Sequence, residues 1–374
     1  MASRETPLHG THDDLGAKFT DFGGWQMPVE FDSIRVEHEA VREAAGIFDV
    51  SHMGQIEVSG PDATTLMQRL TTNDVTALDP GESQYAAITR EDGVIIDDTI
   101  VYRYPDGEAA GAADEETSYL FIPNAGHDEQ MYDRWVDYRD DEGLSATVEN
   151  TTESWGMVAV QGPDAPGLVS AAVTELEASA PADSVSGFSR NEAGFGTIAG
   201  ARCFIAKTGY TGEPGFEVMC PPDAAVDVWK AFDCQPCGLG SRDTLRIEKG
   251  FLLSGEDFHP ESEPRTPLEA GIGFAVKLDT EFIGRDALEA QKEEGITERF
   301  TGVKLLDRGV PRGGYELRAD GEPVGHLTSG TMSPTLSEPI ALGYLSTDCE
   351  EGDQISVVVR GDEKRAKVVT PPFV

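Results

Sequence analysis

The most informative run of the chain is Val94-Ile95-Ile96-Asp97-Asp98-Thr99-Ile100-Val101-Tyr102. Its apolar character predicts a strand buried on at least one face. Side chains alternate along a strand, so Asp98 shares a face with Ile96 and Ile100, and Asp97 points to the other. An unpaired carboxylate is costly among apolar side chains, so we expect Asp98 to have a partner, a raised pKa or a ligand. Asp98 is the first candidate for chemistry, but alternation alone does not choose between the two acids. A satisfied buried acid without a catalytic role also stays open.

The chain carries 68 Asp and Glu against 29 Lys and Arg, a formal net charge of -39 over 374 residues. Such a surface repels nucleic acid and anionic membranes, so we expect neither as a partner. The composition resembles that of proteins from salt-loving archaea, whose salty cytoplasm screens the repulsion. We find no apolar run of bilayer-spanning length and no apolar leader. We therefore expect a cytoplasmic protein. The length predicts two or three domains, and we expect a monomer.

The spacing of cysteine and histidine gives little support for metal chemistry. Cys234 and Cys237 have the CxxC spacing, but no second CxxC or histidine pair accompanies them. We therefore predict no metal site. A redox pair at these two cysteines stays open, with reduced thiols the default in a cytoplasm. Signatures of phosphate-binding loops and serine hydrolases are also absent from the sequence.

Helices are predicted where capping residues bracket apolar residues at helical spacing. Ser33 and Gly46 bracket a helix predicted at 34–45. Pro61 is suited to the first position of the next helix. Two further helices are predicted, at 128–138 and 223–232.

A strand running into a helix occurs twice, at 56–63 and at 158–165, where apolar residues precede a Gly-Pro-Asp-Ala sequence. We interpret these as two related units of an α+β body. Residues 106–117, rich in Ala, Gly and acids, predict a long solvated hairpin loop. From about Glu298 short strand-like segments alternate with Gly-, Pro- and Asp-rich turns, which predicts a compact antiparallel barrel or sandwich. Residues 261–297 would join it to the rest.

Residues 207–217 form a glycine-rich turn that leads into a strand. The glycines allow a tight turn and close approach of a ligand to the backbone. Tyr210 in this turn is suited to stack on a flat ring. Glu217 is suited to accept two parallel donors from an aminopyrimidine-type edge. A plain hairpin with a surface acid is the alternative.

Residues 238–249 predict a helix that Ser241 caps, with Arg242 and Arg246 one turn apart. Arginine near a helix start does not serve the helix dipole, which favours acids there. We expect Arg242 to be aimed at a carboxylate, either Asp98 or the acidic part of a ligand. An internal salt-bridge network is the alternative.

Seven motifs occur in order along the chain: Thr6 to Leu8 (TPL), Phe22 to Pro28 (FGGWQMP), Gly46 to Gly54 (GIFDVSHMG), Gly93 to Asp98 (GVIIDD), Tyr210 to Glu217 (YTGEPGFE), Gly238 to Asp243 (GLGSRD) and Thr328 to Pro334 (TSGTMSP). Together they resemble the T-protein family of the glycine cleavage system, the aminomethyltransferases. The resemblance runs from Thr6 to Pro372.

The resemblance implies an α+β fold: a three-domain cloverleaf of mixed and antiparallel sheets around a central folate cavity, with a C-terminal antiparallel β-barrel. The implied domains are 1–50 together with 145–260, then 51–144, and last 261–374 as linker and barrel.

The resemblance also implies an activity, in which a one-carbon unit passes from the aminomethyl-lipoyl arm of the H-protein to tetrahydrofolate, with release of ammonia and formation of 5,10-methylenetetrahydrofolate. Asp98 corresponds to the catalytic acid of the family and to a folate contact. The other implied folate-site residues are Glu217 at the pterin edge, Tyr210 and Tyr85 beside the ring, Arg242 toward an acidic group, and Met53 and Asn124 as further contacts. Two alternatives stay open: a folate-dependent demethylase of the same fold, and a non-enzymatic folate-binding assembly factor.

Overall fold

The structure is a computed structural model that describes residues 3–105 and 117–374. The chain divides into two compact units, the first comprising Met1–Ala86 and Asp98–Arg242, the second Ala87–Asp97 and Asp243–Val374. The loop predicted at 106–117 lies outside the described residues, apart from Thr117. The domain boundaries implied by the resemblance stay predictions.

The strands are numbered here in chain order. They are β1 Arg4–Glu5, β2 Lys18–Phe22, β3 Trp25–Glu30, β4 Gly46–Asp49, β5 Ile56–Ser59, β6 Ser83–Thr89, β7 Ile95–Arg103, β8 Ser118–Phe121, β9 Thr147–Asn150, β10 Gly156–Gln161, β11 Val173–Leu176, β12 Ala193–Ile198, β13 Ala201–Ala206, β14 Gly215–Cys220, β15 Gln235–Cys237, β16 Glu298–Leu305, β17 Glu316–Ala319, β18 Glu322–Ser333, β19 Glu338–Ser346, β20 Gln354–Val359 and β21 Asp362–Val369.

The helices are α1 His9–Asp14, α2 Ile34–Glu43, α3 Ala63–Leu70, α4 Asp128–Glu142, α5 Ala165–Ala172, α6 Ala225–Lys230, α7 Leu239–Lys249 and α8 Arg285–Glu294. Helix α2 begins as predicted, because the Oγ of Ser33 accepts a hydrogen bond from the N–H of Val36 at 3.3 Å. The prediction for Pro61 was wrong, since α3 begins two residues later. Helix α6 is shorter than predicted, because a 3₁₀ turn at Pro222–Ala224 takes up its start.

Three open sheets are present in the described residues. A seven-stranded sheet has the order β11-β12-β13-β14-β10-β4-β15, a five-stranded sheet β6-β7-β8-β5-β9, and a small sheet β1-β3-β2. The main core of the first unit lies between the seven-stranded sheet and helices α5 and α6. Its members include Val158, Val160, Ile205, Phe216, Val218, Val169, Val228 and Trp229.

The repeated strand-helix unit is confirmed as a structural feature. Strand β5 leads into α3 and strand β10 leads into α5. At each junction a glycine has a positive φ, +118° at Gly60 and +134° at Gly162. Side chains other than glycine rarely adopt such angles, so the Gly-Pro pair fixes the same sharp exit from both strands.

The C-terminal strands form the predicted barrel. Strands β16-β19-β18-β17-β20-β21 close into a six-stranded barrel, and the paired neighbours run antiparallel. Closure pairs every edge within the barrel and encloses a core of its own. That core includes Val303, Leu317, Leu327, Leu345, Val357 and Val368. The α+β class with a C-terminal β-barrel is therefore confirmed.

All five cysteines are free thiols, so Cys234 and Cys237 are not bonded to each other. Within residues 3–105 and 117–374, no helix is long and apolar enough to cross a bilayer. The same residues contain no cluster of three or more His, Cys, Asp or Glu arranged to hold a metal ion.

Candidate functional site

The side chain of Asp98 is held by two neighbours. The hydroxyl of Tyr85 donates to Oδ2 at 2.6 Å, and the Nδ2 of Asn124 donates to Oδ1 at 2.6 Å. Hydrogen bonds to a carboxylate are shorter and stronger than those between neutral groups. Each carboxylate oxygen can accept a further donor. Asp98 is therefore fixed in orientation and can still accept a hydrogen bond from a ligand.

Burial along β7 differs from the sequence-based argument. Asp97 is the fully buried acid, with 0% exposure, whereas Asp98 is only partly buried. The reason is that the face of Asp97 is covered from Ile95 to Val101, while the face of Asp98 is partly open at Ile100 as well. Burial alone therefore favours Asp97. The hydrogen bonds from Tyr85 and Asn124 favour Asp98.

The segment of Met53 lies beside that of Asn124. The N–H of Gly54 donates to the carbonyl of Pro123 at 2.9 Å, and this bond ties the loop after β4 to the loop after β8. The structure thus brings the backbone of Met53, a predicted folate contact, near the Asp98 cluster.

Glu217 lies on β14 within a second polar cluster. The hydroxyl of Thr208 donates to its Oε2 at 2.5 Å, and the hydroxyl of Tyr102 lies 3.3 Å from the same Thr208 oxygen. Burial raises the pKa of Glu217, while the Thr208 hydrogen bond and the charge of Arg242 oppose that rise. Burial, and then the charge of Glu217, raise the pKa of Tyr102.

Gln161, which the sequence analysis missed, anchors the glycine-rich turn. Its Nε2 donates to the carbonyl of Thr208 at 3.0 Å, and its Oε1 accepts from the hydroxyl of Thr211 at 3.0 Å. Its side chain fills the space over two glycines: a Cβ added at Gly209 would lie 1.9 Å from Oε1, and one at Gly215 2.4 Å from Nε2. The feature of the sequence that could have indicated Gln161 is a polar residue at the end of a predicted buried strand, just before Gly162.

Arg242 covers one face of the Tyr210 ring, with its Cζ 4.3 Å from the ring centroid. This contact is a cation–π interaction, so a ligand ring is excluded from that face of Tyr210.

The predicted capping role of Ser241 was wrong, because α7 begins at Leu239 and Ser241 lies inside its first turn. The Oγ of Ser241 instead bonds Glu37 and the carbonyl of Gly238.

His52 is a further buried group, close to the charges of Arg242 and Asp49. It is 1% exposed, and within the described residues neither ring nitrogen has a hydrogen-bond partner. Burial and the positive charge of Arg242 lower the pKa of His52 to about 3, against the opposing effect of Asp49. The imidazole is therefore neutral at physiological pH and carries one donor and one acceptor.

A cleft of about 230 Å³, including space open to solvent, lies beside Glu217 and Arg242. It is lined by Phe48, Val50, Ala159, Gln161, Tyr210, Thr211, Glu217 and Arg242.

Strand β7 connects the two clusters. Asp98 and Tyr102 are four residues apart and so lie on the same face, with a Cα separation of about 13 Å at 3.3 Å per residue. Asp98 belongs to the first cluster, and Tyr102 reaches the second through Thr208. The predicted residues thus divide into a group around Asp98, with Tyr85 and Asn124, and a group at the cleft, with Tyr210, Glu217 and Arg242.

Comparison with known proteins gives full-length matches. Residues 8–280 match the family described as the GCVT N-terminal domain, and residues 299–374 match the glycine cleavage T-protein C-terminal barrel domain. A probable aminomethyltransferase of Haloarcula marismortui is 61% identical over 100% of this chain and 99% of its own length. An aminomethyltransferase of Bacillus subtilis is 39% identical over 99% of both.

A solved structure agrees with these matches. The glycine cleavage system aminomethyltransferase T of Bartonella henselae superposes with a TM-score of 0.87 at 28% identity, covering 99% of this chain and 98% of that one. The polar clusters described above fall within the matched N-terminal region, and the closed barrel is the matched C-terminal domain. The chain therefore belongs to the T-protein family, the aminomethyltransferases of the glycine cleavage system.

Proposed function

We propose that this chain transfers the one-carbon unit of an aminomethyl group, carried on the lipoyl arm of an H-protein, to tetrahydrofolate. The membership of the family supports this reaction over a demethylase or a non-enzymatic assembly factor, because the full-length relatives named above are aminomethyltransferases. The observation that carries the proposal for the chemistry is the pair of 2.6 Å hydrogen bonds that fix Asp98.

The proposed reaction is a substitution at carbon without a change of oxidation state. The carbon loses its bonds to sulfur and to the amino nitrogen, and gains bonds to two folate nitrogens. The two folate N–H protons leave, one to the departing nitrogen as ammonia and one to the sulfur as a thiol. Positioning of the two reactants supplies much of the rate enhancement in such a reaction.

Asp98 serves in this proposal as a fixed negative charge. Positive charge develops on the nitrogens around the transferred carbon, and a preorganised carboxylate stabilises it without having to reorient. Tyr85 and Asn124 hold the carboxylate through the two hydrogen bonds described above. They also reserve two of its acceptor positions, which directs the attacking amine to the remaining ones.

The cleft is proposed to hold the pterin ring. Glu217 would accept the two donors of the aminopyrimidine edge, and Thr208 keeps its carboxylate in place through the 2.5 Å hydrogen bond. Arg242 would bind an acidic or carbonyl group of the folate from beside Tyr210. Met53 is proposed as a further contact near Asn124.

The test combines the purified chain with aminomethyl-loaded H-protein and tetrahydrofolate in molar KCl. We expect ammonia and 5,10-methylenetetrahydrofolate to appear in equal amounts, and ammonia release to stop when tetrahydrofolate is omitted. Release of ammonia at the same rate without folate would contradict the proposal. A matched control uses H-protein whose lipoyl group carries no aminomethyl unit and should give neither product.

We also propose that the chain works in the cytoplasm and as a monomer. Free cysteines support the first part, because oxidising compartments favour disulfides. Light scattering of the purified chain in molar KCl tests the second part, and a mass of twice 40.2 kDa would contradict it.

A further inference from the structure

The first turn of α7 is bonded to a carboxylate from another helix. Glu37 lies on α2 and is 0% exposed. Its Oε2 accepts from the backbone N–H of Gly238 at 2.9 Å and from the hydroxyl of Ser241 at 2.9 Å. The first N–H groups of a helix lack partners within the helix, and the helix dipole favours a negative charge at that end. Glu37 therefore acts as the cap of α7.

The other oxygen of Glu37 bonds a different part of the chain. Its Oε1 accepts from the N–H of Phe31 at 2.7 Å and from the N–H of Asp32 at 3.3 Å. One buried carboxylate thus joins the end of β3, the start of α2 and the start of α7. These four donors are neutral groups of the first unit.

The packing around this carboxylate leaves little room for movement of α7. A Cβ added at Gly238 would lie 2.3 Å from the carbonyl carbon of Val29, and one at Gly240 2.6 Å from the Cδ1 of Ile34. Backbone atoms of α7 therefore lie directly against β3 and α2. Glu37→Gln, which keeps the shape of the side chain, leaves this packing intact and alters only the charge and the hydrogen bonds.

Arg242 follows Ser241 directly in the sequence, so the cap sets the position from which its guanidinium reaches the cleft. That guanidinium covers Tyr210 at 4.3 Å and is near enough to Glu217 and His52 to shift their pKa values. A displacement of the first turn of α7 would therefore move the only part of this helix that lines the cleft among the described residues.

We propose that Glu37 is a positioning residue for folate binding, and that it acts through Arg242. The inference rests on the proposed function, because it assumes that Arg242 contacts the folate. Glu37 touches neither the cleft nor Asp98, so its effect should fall on folate affinity and on the KM for folate, with kcat nearly unchanged.

The test is a double-mutant cycle on the binding of 5-formyltetrahydrofolate, measured by calorimetry in molar KCl. Glu37→Gln places an amide NH₂ against N–H donors, and we expect affinity to fall by about tenfold, the effect of losing one net hydrogen bond to a charged group. Arg242→Ala should weaken binding at least as much. If Glu37 acts through Arg242, the double variant binds no more weakly than Arg242→Ala alone.

Two further variants keep the test decisive. Val169→Ala removes two core methyl groups in α5 and lowers general stability. It should bind the folate as wild type does, and combining it with Arg242→Ala should give the binding loss of Arg242→Ala alone, as additivity requires. If Glu37→Gln fails to fold, Ser241→Ala removes one donor from the cap and should give a smaller loss that is also non-additive with Arg242→Ala. Additive losses in the Glu37 cycle or in the Ser241 cycle overturn the inference.

Failure of the inference and failure of the proposed function are distinguishable. If wild type neither binds the folate nor releases ammonia in its presence, the proposed function is wrong. If wild type does both and the cycle is additive, only the role of Glu37 is wrong.

Discussion

At the scale of single residues, the charge of Asp98 is the feature most open to test. Asp98→Asn keeps the size of the side chain but removes the charge. Its amide NH₂ would also face the donor group of Asn124 or Tyr85, from which it cannot accept a hydrogen bond. We expect kcat to fall by roughly 10²–10³, the usual effect of losing one preorganised electrostatic contact. Folate affinity should stay within about threefold of wild type. Single-turnover ammonia release and folate calorimetry measure the two quantities.

Tyr85→Phe serves as the matched control for this variant, because it removes one of the two hydrogen bonds and leaves the carboxylate. Its loss of kcat should be smaller than that of Asp98→Asn. Full turnover in Asp98→Asn would remove Asp98 from the mechanism, whatever Tyr85→Phe shows.

The raised pKa of Glu217 predicts how folate binding depends on pH. Burial raises this pKa, so the carboxyl takes up a proton at a higher pH than an ordinary glutamate. The protonated group loses acceptor capacity toward the pterin edge, so affinity should fall on acidification in a window above the ordinary glutamate range. The same shift means that the contribution of Glu217 to folding stability is present at low pH and is lost as the pH rises through its folded value.

Glu217→Gln is the check on this pH dependence. The variant should bind folate more weakly than wild type and should lose the acid-side fall, since glutamine does not titrate. Calorimetry from pH 5 to 8 at constant KCl separates the two proteins. An equal fall in both would show that another group controls the acid limb.

At the scale of elements, the glycine-rich turn depends on the space that Gln161 fills. Gly209→Ala would put a methyl group 1.9 Å from the Gln161 amide. The Gln161 side chain then has to move, which breaks its hydrogen bonds to Thr208 and Thr211 and releases the turn that carries Tyr210. We expect at least a tenfold loss of folate affinity, comparable with the loss of one or two hydrogen bonds of the turn. The free energy of unfolding should change less, because the main hydrophobic core is not touched.

Gly167→Ala in α5 is the control for this substitution, since no atom lies within 4 Å of an added Cβ there. Alanine is favoured over glycine inside a helix by about 1 kcal/mol, so this variant should be neutral or slightly more stable and should bind folate normally. Normal folate binding in Gly209→Ala would show that the turn does not need the Gln161 contact.

The elements that sequence patterns predicted well are those that local chemistry decides. Turn residues at short intervals after Glu298 indicated the barrel, and Ser33 marked the start of α2. The cap of α7 was predicted wrongly because Ser241 has a suitable side chain, while the group that caps the helix, Glu37, lies 204 positions earlier in the sequence. Side-chain partners that come from distant segments leave no local pattern.

The same reason explains the candidate site. Glu217, Tyr210 and Arg242 belong to motifs and were named from the sequence, whereas Gln161 was missed, because its role depends on glycines about 50 residues later. For Asp98 the apolar run predicted the strand but not its open face, which depends on the packing around β7.

At the scale of the whole molecule, the net charge of -39 makes stability depend on salt. The screening length falls from about 10 Å at 0.1 M salt to about 3 Å at 1 M, and repulsion among surface acids weakens with it. The relative from Haloarcula marismortui fits this view of the composition. We expect the unfolding temperature to rise by roughly 10 °C between 0.2 and 2 M KCl, equivalent to about 8 kcal/mol for a chain of this size.

A variant with fewer surface acids separates screening from other effects of salt. Asp141, Glu142, Glu293 and Glu294 are exposed, and their replacement by Asn or Gln changes the net charge from -39 to -35. If repulsion sets the salt requirement, this variant should unfold at a higher temperature than wild type in 0.2 M KCl, and the two should converge at 2 M. An equal difference at both salt concentrations would mean that salt stabilises the chain by strengthening apolar burial instead.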